Sequence, residues 1–197
     1  MHEDIEEVLI SEAQLRTKIG ELGEQISRDY QGKPLLLVGT LKGAVPFIAD
    51  LARAIHLPLE IDYMVVASYG ASTQSSGIVR IVKDLEGPVD NKHILIIEDI
   101  IDSGLTLHYL VDLLKRRNPL SLRLCALLTK ERERIKNVEI DYFGFSIPDK
   151  FVVGYGLDYA QYYRNLPYVG ILKPHIYEGS LKPEDQHQSP AEIQQER

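Results

Sequence analysis

The segment 94–107, Ile-Leu-Ile-Ile-Glu-Asp-Ile-Ile-Asp-Ser-Gly-Leu-Thr-Leu, concentrates reactive groups in one short run of the chain. An apolar stretch leads into the adjacent carboxylates Glu98 and Asp99. A third, Asp102, follows in a loop, and Ser103, Gly104 and Thr106 open a helix. Hydroxyls and a glycine at a helix N-terminus offer backbone N–H groups to an anion, the chemistry of a phosphate cradle. The lysine of a Walker A loop is absent. Paired acids beside such a cradle suit hydrogen bonds from vicinal hydroxyls, or a divalent cation. An isolated acidic pair more often caps a helix and faces water; its union with the cradle favours a site here.

The elements that must hold this segment can be read from hydrophobic spacing. Ser11 and Gln14 fit a capping box, and Leu15, Ile19, Leu22 and Ile26 recur at helical spacing, which predicts a helix over 11–29. Strands are predicted at 35–39, 59–67, 78–82, 93–97 and 122–128, with helices at 45–55 and 104–117. Two strand-helix-strand units imply a parallel sheet flanked by helices, an α/β fold whose ligands bind at the C-terminal strand ends. Residues 142–147, 151–155 and 168–172 read as short strands that finish the sheet or form a small hood. Residues 68–77 carry Ser and Gly without apolar periodicity and are expected to form a mobile loop. The domain is expected over 1–177, with 178–197 as a polar, disordered tail.

Composition sets the outer limits. A chain of 197 residues, 44% hydrophobic and 26% charged, is the size and make-up of one globular domain. Lys plus Arg number 22 against 29 Asp plus Glu, and the net charge of −7 opposes nucleic acid and anionic membrane as partners. Cys125 is the sole cysteine, lies in an apolar run and is expected to be a buried structural thiol. An acidic N-terminus and the lack of a long apolar run lead to the expectation of a cytoplasmic protein. His56, His93 and His108 form no metal-ligand pattern.

Segment 94–107 resembles the signature of type I phosphoribosyltransferases, and separated motifs narrow the resemblance to the hypoxanthine-guanine type. Val38-Gly-Thr-Leu-Lys-Gly43 is similar to that family's pyrophosphate loop, Ser68-Tyr69 to its lid, and Lys130 to its purine-contacting lysine. Residues 148–159, Pro-Asp-Lys-Phe-Val-Val-Gly-Tyr-Gly-Leu-Asp-Tyr, resemble its base pocket, and Arg164 its late pyrophosphate-contacting arginine. The resemblance spans about residues 5–172 and departs at Leu105, where relatives often carry a polar or basic residue.

The resemblance implies a role for each matching residue. Leu41, Lys42 and Gly43 would face pyrophosphate, across a peptide bond between Leu41 and Lys42 that can be cis in this family. Glu98 and Asp99 would hold the ribose hydroxyls, and with Asp158 a Mg²⁺ ion; Ser103, Gly104 and Thr106 would wrap the 5′-phosphate. Asp102 would act as general base at purine N7, Lys130 would donate to a 6-oxo group, Phe151 would stack on the base, and the Val152 backbone would meet its edge. Asp158 would also approach the exocyclic position of the purine. The implied activity is transfer of a phosphoribosyl group from phosphoribosyl pyrophosphate to hypoxanthine or guanine, in a homodimer or homotetramer. The 68–77 loop would then exclude water from the activated sugar. Two other classes share parts of this pattern. A regulator that senses phosphoribosyl pyrophosphate and binds nucleic acid would keep the fold, but the −7 charge counts against it. A phospho-receiver domain needs a phospho-accepting Asp at a further strand end, and neither 35–39 nor 122–128 supplies one.

Overall fold

A computed structural model of the chain describes residues 1–69, 78–131 and 138–178. Of the expected mobile loop, residues 70–77 lie outside the described residues, as does 179–197 of the expected tail.

Helix α1 (Glu12–Asp29) starts at a capping box, in which the Gln14 N–H donates to Ser11 Oγ (3.3 Å) and the Ser11 N–H to Gln14 Oε1 (2.9 Å). Its buried stripe is the one the spacing predicts, Leu15, Ile19, Leu22 and Ile26. Strand β2 (Leu35–Thr40) is buried along nearly its whole length, as a central parallel strand must be when helices cover both faces. Helix α2 (Val45–Ala54), strands β3 (Leu59–Tyr69), β4 (Ile78–Lys83) and β5 (His93–Ile101), helix α3 (Leu105–Lys115), and strands β6 (Ser121–Lys130) and β7 (Tyr142–Ile147) complete the main layer. The six-stranded sheet runs β4-β3-β2-β5-β6-β7. All its pairs are parallel except β3 with β4.

From β2 the chain winds outward to β3, and from β5 it winds the other way to β6, so the order reverses between β2 and β5. Loops leaving adjacent strands at such a reversal diverge and open a crevice at the C-terminal edge. Both loops singled out in the sequence, 41–44 and 102–104, leave from those two strands. One apolar core lies between the sheet and α1 and α2, the other between the sheet and α3. Cys125 is fully buried in the first, and burial pushes its thiol far up, in keeping with a structural role.

A hood stands over the crevice. Strand β1 (Ile5–Ile10) pairs antiparallel with β9 (Val169–Leu172), and β9 pairs with β8 (Val152–Val153). Helix α4 (Pro174–Tyr177) follows β9. Phe151, Val153, Tyr163, Leu166 and Leu172 form its own small core. Of the three late strands, 142–147 therefore finishes the sheet, while 151–155 and 168–172 build the hood. The 151–155 strand shrinks to Val152–Val153 because Gly154, Tyr155 and Gly156 take positive φ of 94°, 50° and 100° and curl the chain away. The expected loop also starts later than its composition indicates. Ser68 and Tyr69 belong to β3, their backbones paired with Val79 and Ile78.

Candidate active site

Glu98 and Asp99 sit inside β5, which runs on to Ile101. Successive residues of a strand face opposite sides, so the two acids meet different neighbours. Thr40 at the end of β2 donates its hydroxyl to Glu98 Oε2 at 2.6 Å. Asp99 accepts the Ile100 N–H at 2.8 Å and lies so close to Gly43 that a Cβ there would overlap its Oδ2. Burial, then the charge of Asp99, pushes Glu98 up to about 8; burial pushes Asp99 up to about 6. These are carboxylates whose negative charge the protein leaves under-compensated. Among the described residues no three His, Cys, Asp or Glu side chains converge to hold a metal alone. The donor set fits a Mg²⁺ ion that brings substrate oxygens with it, since Mg²⁺ is usually bound by one or two carboxylates plus phosphates rather than by an all-protein cage.

The loop after β5 runs through residues 102–104 into α3. Gly104 caps α3 with φ 78°, a left-handed conformation that glycine adopts without penalty. The N-cap residue, Gly104, has no side chain to accept from the first N–H groups. Ser103 Oγ lies 3.5 Å from the Leu105 N–H, and Thr106 is in the first turn.

After β2 the Leu41–Lys42 peptide bond is cis. The Lys42 ammonium donates to Gln161 Oε1 (3.1 Å), and the same oxygen lies 3.4 Å from Arg164 Nη2. Arg164 also pairs with Asp158 Oδ1 at 2.5 Å and donates to the Gly156 carbonyl at 2.7 Å. The Gln161 N–H donates to Asp158 Oδ2 at 2.9 Å. Gly156 packs on the Gly43 carbonyl so tightly that a Cβ would overlap it, which ties the hood to the 41–44 loop. Lys42, Arg164 and Asp158 are thus brought together, through a residue that sequence reading missed. Gln161 lies beyond the quoted motif and has no chemistry of its own to mark it.

On the far side, Lys130 ends β6 opposite Ile147 of β7. Its ammonium is 4.0 Å from Asp102 Oδ2 and 3.1 Å from Asp149 Oδ1. Asp149 also went unassigned, although it stands inside the 148–159 motif. Phe151 is buried in the hood, edge-on to Tyr159 (ring centroids 5.6 Å apart) and stacked on Tyr177 (4.7 Å, 25° between planes). One face of Phe151 is therefore covered by Tyr177. Val152 pairs with Ile171 on one edge only, because β8 is the outer strand of its sheet. Of the histidines, His93 Nδ1 is 2.7 Å from Ser121 Oγ, and His108 Nε2 lies 3.6 Å from Asp112 Oδ2.

Comparison with known proteins follows this geometry. Residues 7–160 match the model of the phosphoribosyl transferase domain. The hypoxanthine-guanine phosphoribosyltransferase of Bacillus subtilis is 54% identical over 178 residues, 90% of this chain and 99% of that one. The bifunctional protein TilS/HprT of Listeria monocytogenes is 56% identical over 177 residues, 90% of this chain, which spans only 27% of that longer protein. A crystal structure of a hypoxanthine phosphoribosyltransferase from Staphylococcus aureus superimposes with a TM-score of 0.87 at 50% identity, over 90% of this chain and 96% of that one.

Proposed function

Because the chain belongs to the phosphoribosyl transferase family, we propose that it transfers the 5-phosphoribosyl group of phosphoribosyl pyrophosphate to hypoxanthine or guanine, releasing pyrophosphate and the nucleoside 5′-monophosphate. The observation that carries this reading is the pairing of two kinds of chemistry across β5 and β6. A phosphate cradle at Ser103–Thr106 lies beside a carboxylate, Asp102, that shares its surroundings with the Lys130 ammonium.

Each side then has a task. The uncapped N-terminus of α3, with Ser103, Gly104 and Thr106, binds the 5′-phosphate, and Glu98 and Asp99 accept hydrogen bonds from the ribose hydroxyls. Asp102 takes the proton of purine N7, which makes N9 a better nucleophile. Lys130 donates to the 6-oxo group and so disfavours a 6-amino purine. Phe151, backed by Tyr177, offers its other face to the base, and the open edge of Val152 meets the ring. Lys42 and Arg164, now shared on Gln161, turn to the departing pyrophosphate, whose negative charge grows as the C1′ bond breaks. The Leu41 and Gly43 backbone borders the same place, and Ser68 and Tyr69 bring β3 to its rim. Glu98, Asp99 and Asp158 are the residues that would hold Mg²⁺, which when bound supplies charge neutralisation to pyrophosphate. We also place the working protein in a homodimer or homotetramer, which sedimentation of the full chain would test. Among the described residues no helix is long and apolar enough to cross a membrane.

The experiment is product formation with phosphoribosyl pyrophosphate and Mg²⁺, with hypoxanthine, guanine, xanthine, adenine and uracil in parallel. Turnover of 6-oxopurines above adenine and uracil supports the reading. Binding of phosphoribosyl pyrophosphate with no turnover of any base overturns it.

A further inference from the structure

We propose that Asp149 is a positioning residue that tethers the Lys130 ammonium away from Asp102 and toward the purine; this rests on the roles given above to Lys130 and Asp102. Lys130 is buried, at 9% exposure. A buried ammonium is costly unless it is paired, and this one lies between two carboxylates at unequal distances. Asp149 Oδ1, at 3.1 Å, is within hydrogen-bond range; Asp102 Oδ2, at 4.0 Å, is not.

The inequality is built into the backbone. Lys130 is the last residue of β6, and the Glu131 N–H donates to the Ile147 carbonyl at 2.8 Å, which fixes the end of β6 against the end of β7. The chain then turns at once, the Lys150 N–H donating to the Pro148 carbonyl at 2.8 Å, and this turn carries Asp149. Without Asp149, Lys130 is drawn by its remaining close carboxylate, Asp102. An ammonium in direct contact with Asp102 would fill an oxygen that must receive the purine proton, and would leave the 6-oxo group without its donor. A carboxylate at 149 holds the ammonium in the closer ion pair and leaves the reacting pair apart. Asp149 is 44% exposed, so its ion pair with Lys130 adds little to folding, and variants there are expected to fold.

The test uses the full chain with Asp149→Asn, Asp149→Glu and Lys130→Ala, singly and with Asp149→Asn combined with Lys130→Ala. Asp149→Asn is expected to lower kcat about tenfold and raise KM for hypoxanthine, with KM for phosphoribosyl pyrophosphate unmoved. Asp149→Glu should restore part of the loss. In the Lys130→Ala background the same substitution should change nothing further, because Asp149 acts through that lysine. Equal losses in both backgrounds, or unchanged kcat and KM in Asp149→Asn, overturn the proposal. A crystal structure of Asp149→Asn supplies a reading independent of activity. Lys130 Nζ is expected within hydrogen-bond distance of Asp102, and an unmoved Nζ overturns the tether. Should the parent chain turn over no 6-oxopurine, the functional reading fails, and the position of Nζ alone decides the tether.

Discussion

Asp102 is the residue at which binding and chemistry should come apart. Asp102→Asn keeps the shape of the loop and removes the base, so kcat is expected to fall by roughly 10²–10⁴ with phosphoribosyl pyrophosphate binding retained. Isothermal titration beside steady-state kinetics checks both halves, and near-normal turnover would remove Asp102 from the role. Lys130→Ala should narrow the preference for hypoxanthine over adenine by about 1–3 kcal/mol, the cost of an unmade buried hydrogen bond. Competition between the two bases reads it directly, and unchanged selectivity contradicts the assignment. Glu98 yields a prediction about pH. Its carboxyl is pushed up to about 8 from an ordinary 4.5, so the folded chain binds this proton more tightly than the unfolded one. The penalty is absent below about pH 4.5, grows as pH rises, and is complete above about pH 8. Glu98→Gln is therefore expected to gain thermal stability over the parent as pH climbs through that window, by roughly a few degrees. A difference in Tm that stays flat between pH 5 and 8.5 would show that burial does not hold the proton on Glu98. Glu98 and Asp102 stood out because one contiguous run, 94–107, concentrates reactive groups, whereas Lys130 stood out only through the family resemblance. Asp149 and Gln161 did not, since an ordinary Asp and Gln acquire a role only through partners that the fold brings from elsewhere, Lys130 and Lys42.

Elements transmit constraints that no side chain shows alone. The 41–44 loop is held between Asp99, which touches Gly43 from β5, and Gly156, which presses on the Gly43 carbonyl from the hood. Gly43→Ala must displace either Asp99 or the loop. kcat/KM for phosphoribosyl pyrophosphate is expected to fall by roughly tenfold to a hundredfold, since small misplacements of reacting groups are costly. Circular dichroism should show the fold intact, and a variant with parental kinetics would mean that the loop yields freely. The long parallel strands and their helices were readable because a buried strand is a run of apolar residues and a buried helix face repeats with its own period. Strand β1, Ile-Glu-Glu-Val-Leu-Ile, escaped reading because Glu6, Glu7 and Val8 are all exposed and break any alternation, and what makes it a strand is β9, more than a hundred and fifty residues away. The 151–155 strand was overread for the opposite reason: its β-formers are real, but the glycines at 154 and 156 turn the backbone after Val153.

At the scale of the molecule, the roles proposed above divide between the sheet, which would meet the 5′-phosphate, and the hood, which would meet the base. Tyr155 donates its hydroxyl to Asp50 of α2 at 2.6 Å, and Tyr163 to Asp4 at 3.0 Å. Tyr155 thus ties the hood to α2 and Tyr163 braces the hood internally, while Tyr162 is 71% exposed. Tyr155→Phe is expected to loosen the hood without touching the cradle. KM for hypoxanthine should rise while KM for phosphoribosyl pyrophosphate holds, and a parallel rise in both would show that the two halves move as one.

The pairing of β1 with β9 also bears on how the protein is made. Residues 5–10 leave the ribosome before the other described strands, but their partners at 169–172 follow all of those strands. A nascent chain halted after β7 would already hold every strand of the large sheet and helix α3, to which the 5′-phosphate is assigned above. It would have no roof and would lack Asp158 and Arg164, so it should hold phosphoribosyl pyrophosphate only by its 5′-phosphate and ribose while ignoring the purine, and during synthesis part of the capacity for one substrate should arrive before the capacity for the other.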